Sequence, residues 1–379
     1  MKQLNKNILF FLATVAFAAL FYSCTKETSG DPKINYVRVT SPESSDSLLV
    51  GAGQGSLIAI VGENLGGAVE IWFNDQQAML TPTYITNTSI LVSVPNPIPV
   101  QITNKLKIIF SNGFILNHDF EVQISKPVVS AMVCEFVNTG SIATIKGDFF
   151  YEPLTVTFAG GVNGTIVSVT DQLIQVEVPA GAQPGQVTVT TNFGVTKSDF
   201  WFRDSRNHFI NSDPYEGWWN ASYVVTAPGA GDPPSISGNY IRFTKQIGSW
   251  SWNELAGGPA SAMPTHSKNI PDAAILKPED YYLKFEVNTI KPYNGNVIKI
   301  NVALSSEQND GYKWIPPYDT KGQWQTVVIP LTEVFAEYNP KPSVNPAGYW
   351  CRLLMGHAEG SLDADIAFDN FRVVPKVIK

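Results

Sequence analysis

The chain has 379 residues, 44% of them hydrophobic and 12% aromatic, with 29 Gly and 26 Pro. That length supports two or three separate cores, and the composition is too apolar for a disordered chain. A formal charge of −7 without any basic cluster argues against nucleic acid and anionic membrane surfaces as partners.

At the start, Lys2 and Lys6 precede an apolar run from Ile8 to Tyr22, broken only by Thr14, and Cys24 follows Ser23. The run is short for a membrane span and reads as a targeting segment. The stretch ALFYSC is similar to a bacterial lipobox, with Phe21 where Leu is usual. This resemblance implies cleavage before Cys24 and lipidation of its thiol, which anchors a soluble body without spanning the bilayer. Residues 1–23 are then a signal peptide and 24–34 a lipidated tether. An ordinary secretory signal with a chance cysteine is the alternative. Cys134 and Cys351 are expected as buried free thiols, and no Cys/His grouping suggests zinc or any other cofactor.

Two consecutive segments match each other. The first carries LIAIVGENLGGAVEIWFN (57–74), ILVSVPNPIP (90–99) and KIIFSNGFILNHDFEV (107–122). The second carries SIATIKGDFFYEPLTVTFAG (141–160), IQVEVPAGAQPG (174–185) and VTVTTNFGVTKSDFWF (187–202). Gly62 precedes Phe73, and Gly147 precedes Phe158, by the same interval. Alternating runs cut by Gly, Pro and Asn predict antiparallel sandwiches over 35–125 and 126–203. The pattern resembles the IPT/TIG immunoglobulin-like fold. Trp72, Tyr84 and Phe158 are expected in the cores. With no polar constellation in either repeat, both read as spacers, joined tightly at Lys126-Pro127.

Composition shifts beyond Asp204, where seven of the nine Trp lie. YYLKFEVNTI (281–290), NVIKINVAL (296–304), WQTVVIPLTEV (324–334) and ADIAFDNFRVV (364–374) read as strands. Residues 204–379 are therefore predicted as one jelly-roll-like β-sandwich, making the whole chain all-β. GQWQTVVIPLTEV and DADIAFDNFRVVP resemble the last strands of carbohydrate-binding jelly rolls, which implies that Trp324 and Phe371 are core. Asp365 and Asp369 read as capping or solvated carboxylates, with a structural calcium as the alternative.

A lipoprotein start, tandem IPT/TIG modules and a Trp-rich final sandwich resemble the surface glycan-binding protein B type of Bacteroidota polysaccharide utilisation systems. The resemblance implies an outer-membrane, cell-surface protein that binds a β-glucan, xyloglucan or mixed-linkage glucan, without catalysis. It also implies a neighbouring outer-membrane importer complex as partner. The chemistry suits the residues. A β-linked glucose ring exposes flat C–H faces ringed by hydroxyls, and an indole offers a flat, electron-rich surface that is cheap to order.

The candidate platform is Trp219, Trp250 and Trp252, then Trp314, with Trp218 and Tyr312. Trp250 and Trp252 share a face if both lie in a strand, about 7 Å apart. Tyr312 and Trp314 share a face in DGYKWIPPYD (310–319), a loop-rich rim. Of Trp218 and Trp219 only one should be exposed, with Trp219 preferred. Asn220, Asn253, Glu254 and Lys313 are polar neighbours. Trp350, in YWCRLLM, reads as core. Two rivals stay open. A glycoside hydrolase needs a carboxylate pair, and Glu216 and Glu254 are the suggestive one. A surface adhesin would use the same aromatics on a protein partner.

Overall fold

A steric reason underlies the repeated glycines. In the first sandwich Gly62 pairs with Ile34, just where a bulge interrupts the register of the edge strand Lys33–Val39. In the second, Gly147 pairs with Val129 beside the same bulge in Val128–Met132. A Cβ would stand 2.0 Å from the Lys33 carbonyl oxygen at Gly62 and 1.8 Å from that of Val128 at Gly147. Only glycine lets the bulged strand approach so closely. The aromatic partners repeat as well. Phe73 meets Phe120 edge-on at 5.6 Å, and Phe158 meets Phe202 at 4.9 Å.

The computed structural model describes residues 30–376 apart from 42, 44, 45, 219, 220, 295, 308–310, 357 and 358. Cys24 and Trp219, and with Trp219 its neighbour Asn220, lie outside the described residues. The chain divides into two compact units, one ending at Ile124 and one running from Ser125 to Lys379. No described helix is long and apolar enough to cross a membrane.

In the first unit, Lys33–Val39, Leu57–Glu63 and Ser89–Ser93 form one sheet. Gln76–Gln77, Ala68–Phe73, Lys105–Phe110 and Ile115–Asp119 form the facing one. The second unit begins with the same plan. Val128–Met132, Ile142–Asp148, Leu173–Glu177 and Thr165–Val169 face Val162–Asn163, Leu154–Ala159, Gln183–Thr191 and Gly194–Phe202. Each pair of sheets closes on an apolar core of its own. Phe158 is core as expected. Trp72 is only half-buried, its Nε1 donating to Glu70 and Lys107 lying over its ring. Tyr84 is exposed, because it sits in a 3-10 turn on the surface rather than in a strand.

The C-terminal sandwich uses strands β1 (His208–Ile210), β2 (Val224–Val225), β3 (Tyr240–Ile247), β4 (Trp252–Gly258), β5 (Tyr281–Thr289), β6 (Val297–Leu304), β7 (Tyr312–Trp314), β8 (Gln325–Pro330), β9 (Trp350–Gly356) and β10 (Leu362–Pro375). One sheet runs β2-β3-β10-β5-β8, with β1 added along β10; the other runs β4-β9-β6-β7. Alternation decides the core. Leu283, Phe285 and Val287 from β5 meet Ile298, Ile300 and Val302 from β6, with Phe371 among them. Cys351 lies in this core and burial pushes its thiol up to about 12; Cys134 is likewise free and buried.

Candidate functional site

The outward residues of the larger sheet are charged and covered. Lys284, Glu286 and Arg372 project from β5 and β10 and are almost wholly buried. The cover is the segment Val133–Asn138, which belongs to the preceding sandwich. Glu135 accepts from Lys284 Nζ at 2.6 Å and from Arg372 at 2.8 Å, while Arg372 also donates to Glu286 at 2.8 Å. Thr326 N–H donates to the Val133 carbonyl, and Glu135 N–H to the Thr326 hydroxyl. Phe136 and Cys134 pack with Tyr240, Trp324 and Ala367. Trp324 is therefore buried as expected, but at this seam rather than between the sheets. Asp365 is held by Arg242 through two hydrogen bonds, at 2.8 and 2.9 Å. Asp369 is buried; desolvation and the nearby Glu286 push its carboxyl well up. Among the described residues no His, Cys, Asp and Glu cluster is suited to a metal ion.

The outward face of β4-β9-β6-β7 differs. Register places Trp252, Gly356 and Val297 in one row, Glu254, Leu354, Lys299 and Lys313 in the next, and Arg352 with Asn301 in a third. Trp252 is 47% exposed, and Trp250 and Trp218 are 57% and 59% exposed. Trp218 N–H donates to the Gly257 carbonyl at 2.9 Å, which ties that indole to the far end of β4. By strand rise, roughly 15 Å of β4 separates the two aromatic ends. The middle is polar. Arg352 forms a two-point ion pair with Glu254 and reaches Glu307 at 3.2 Å. Lys299 Nζ stands 4.5 Å from the centre of the Trp252 ring.

Two features differ from the sequence expectation. Trp250 precedes β4 instead of lying in it, with φ of 58°, a left-handed conformation rare for an aromatic residue. The turn is closed by Ser251 Oγ donating to the Gly248 carbonyl. Trp250 and Trp252 are thus neighbours around a turn, not along a strand. Tyr312 and Trp314 do share a face, but it is the inner one. Register pairs them with Ile300 and Ile298, and Trp314 meets Phe285 edge-on at 4.8 Å. Lys313 takes the outward position. Asn253 is buried and accepts from Lys245. Trp350 is buried as expected, and Trp218 packs edge-on against it at 5.4 Å.

The carboxylate pair weighed for hydrolysis is engaged elsewhere. Glu216 accepts from the backbone N–H groups of Thr265 and His266. Although burial acts to raise its carboxyl, those hydrogen bonds bring it below the usual range. Glu254 is committed to Arg352. The face can therefore offer flat indoles at both ends and fixed hydrogen-bonding groups between. Sequence reading missed Lys299, Asn301, Arg352 and Gly356. Their signal was alternation, partial but present: Lys299 and Asn301 stand two apart in NVIKINVAL between apolar residues, and Arg352 and Gly356 keep the same phase in WCRLLMG, where Leu354 interrupts it.

Residues 202–375 match the family model described as surface glycan-binding protein B xyloglucan binding domain. An IPT/TIG domain-containing protein of Bacteroides ovatus is 22% identical, with 98% of each chain covered. Among solved structures, surface glycan-binding protein PbSGBP-B from Prevotella bryantii is 25% identical, covers 92% of this chain and 99% of its own, and superposes with a TM-score of 0.68. SGBP-B from a complex xyloglucan utilization locus in Bacteroides uniformis is 20% identical, with 91% and 100% covered and a TM-score of 0.52.

Proposed function

We propose that the last domain, whose residues 202–375 match the surface glycan-binding protein B xyloglucan binding domain, is of that type, and that the chain captures a β-glucan, without catalysis, on the outward face of β4-β9-β6-β7. The carrying observation is the exposure of three indoles, Trp218, Trp250 and Trp252, along the outward side of one sheet. An indole left in water gains by burying the axial C–H groups of a sugar ring. Glu254, held in place by Arg352 and still partly exposed, then bonds a hydroxyl from a fixed position, at little ordering cost. Rings at both ends of β4 favour an extended chain over a monosaccharide. Xyloglucan is the preferred ligand, in keeping with the family description, and mixed-linkage glucan the second. The commitment of Glu216 and Glu254 to structural partners supports a binding role over hydrolysis.

Cys24, once lipidated, anchors the protein at the outer membrane, where the bound polysaccharide passes to a neighbouring importer complex. The domain limits 35–125, 126–203 and 204–379 are part of the same proposal. Affinity electrophoresis of residues 25–379 in gels cast with xyloglucan, barley β-glucan, glucomannan or xylan tests the binding. Retardation by xyloglucan is expected. Unretarded migration in every gel overturns the β-glucan reading and leaves a protein partner as the use of the aromatics. Release of reducing ends from the polysaccharide overturns the absence of catalysis.

A further inference from the structure

Trp252 and Lys299 meet although their strands are not neighbours. β9 lies between β4 and β6, so the two backbones stand about 9.6 Å apart by sheet spacing. The intervening position is Gly356, register partner of both Trp252 and Val297. A Cβ there would stand 2.3 Å from the Ser251 carbonyl oxygen and 3.0 Å from Trp252 Cα. Close approach of the two strands therefore demands glycine. With no side chain at 356, the Lys299 ammonium, from the next row along β6, stands 4.5 Å from the centre of the Trp252 ring. Lys299 is only 8% exposed, unusual for so strongly hydrated a group, and the indole is part of its cover.

We propose that Lys299 is a positioning residue for the glycan face: its ammonium holds the Trp252 indole in place and the solvent-exposed part of the ring receives a sugar. The inference rests on the glycan reading of this face. The ring is then fixed before ligand arrives. A ring free to turn would pay its ordering cost at binding. The cation also makes the contact specific to a basic residue, because an apolar side chain of similar length lacks the attraction to the ring face. Gly356 supports the arrangement by what it lacks.

The test compares Lys299→Met, which keeps the apolar stem, with Lys299→Arg, which keeps a cation. Residues 25–379 are used throughout. Near-UV circular dichroism without ligand reads the Trp252 environment, and calorimetry with a xyloglucan oligosaccharide reads affinity. Lys299→Met is expected to change the tryptophan spectrum and weaken binding about tenfold while the melting temperature holds. Lys299→Arg is expected to restore both, and in a Trp252→Ala background Lys299→Met should leave the spectrum unchanged. An unaltered spectrum in Lys299→Met, or weakening matched by a fall in melting temperature, overturns the positioning role. A wild-type chain that binds no xyloglucan, with the spectral change intact, overturns the glycan reading and upholds the positioning of the ring.

Discussion

The two sheets of the C-terminal sandwich share one core and turn opposite kinds of surface outward. The larger sheet presents Lys284, Glu286 and Arg372, and Glu135 of the preceding sandwich neutralises them out of water. The smaller presents indoles to solvent around an ion-paired centre. Charge is normally the surface feature and aromatic rings the buried one. Here the arrangement is inverted on both sides. Buried charges tolerate little change, because removing one partner leaves the other unpaired in a low dielectric. Exposed rings tolerate truncation without unfolding, so what they do must be sought in binding.

Substitutions at four positions would break or sharpen this contrast. Glu135→Gln should cost roughly 3–5 kcal/mol of stability, since Arg372 and Lys284 lose their shared carboxylate. Thermal melting reads the loss, and affinity of the molecules that remain folded should hold. Trp252→Ala should show the reverse: binding weakened by about 2 kcal/mol or more, over tenfold, by calorimetry, with melting nearly unchanged. Unfolding of that variant at much lower temperature would place the ring in the structural class instead.

Smaller effects follow at Trp250 and Asp369. Because φ at residue 250 is 58°, Trp250→Gly should be more stable than Trp250→Ala by about 1 kcal/mol. Both should lose the same binding energy, which separates the strain of the turn from the use of the ring. Asp369 carries the pH dependence. Its carboxyl is raised by burial first and by Glu286 second. Folding thus holds its proton more tightly than the unfolded chain, where the value is about 3.9. Stability from this group is full below the unfolded value and is lost as pH rises through the folded one. Asp369→Asn should melt above wild type at neutral and alkaline pH, and the difference should close on acidification.

The fold was largely legible in the sequence, for a physical reason. Strand alternation and the glycines at 62 and 147 report local geometry, and local geometry is what a single sequence encodes. The site was legible only in part. Exposure of Trp250 and Trp252 could be read from their Gly- and Ser-rich flanks. Whether Tyr312 and Trp314 faced in or out depended on their register with Ile300 and Ile298, a pairing fixed by residues far along the chain. Glu135 lay beyond reach for the same reason, since its partners are more than a hundred residues away. A lone glutamate in VCEFVN carries no local mark of a buried ion pair.

The cover supplied by Val133–Asn138 also says where this protein can be cut. A graft that starts after residue 203 would carry Arg372 and Lys284 without the Glu135 carboxylate they share and would wet Tyr240 and Trp324. The portable cassette therefore begins at Ser125 and comprises two sandwiches. Recombination that exchanges the ligand-bearing end between chains of this design would conserve the pair and vary only what precedes it.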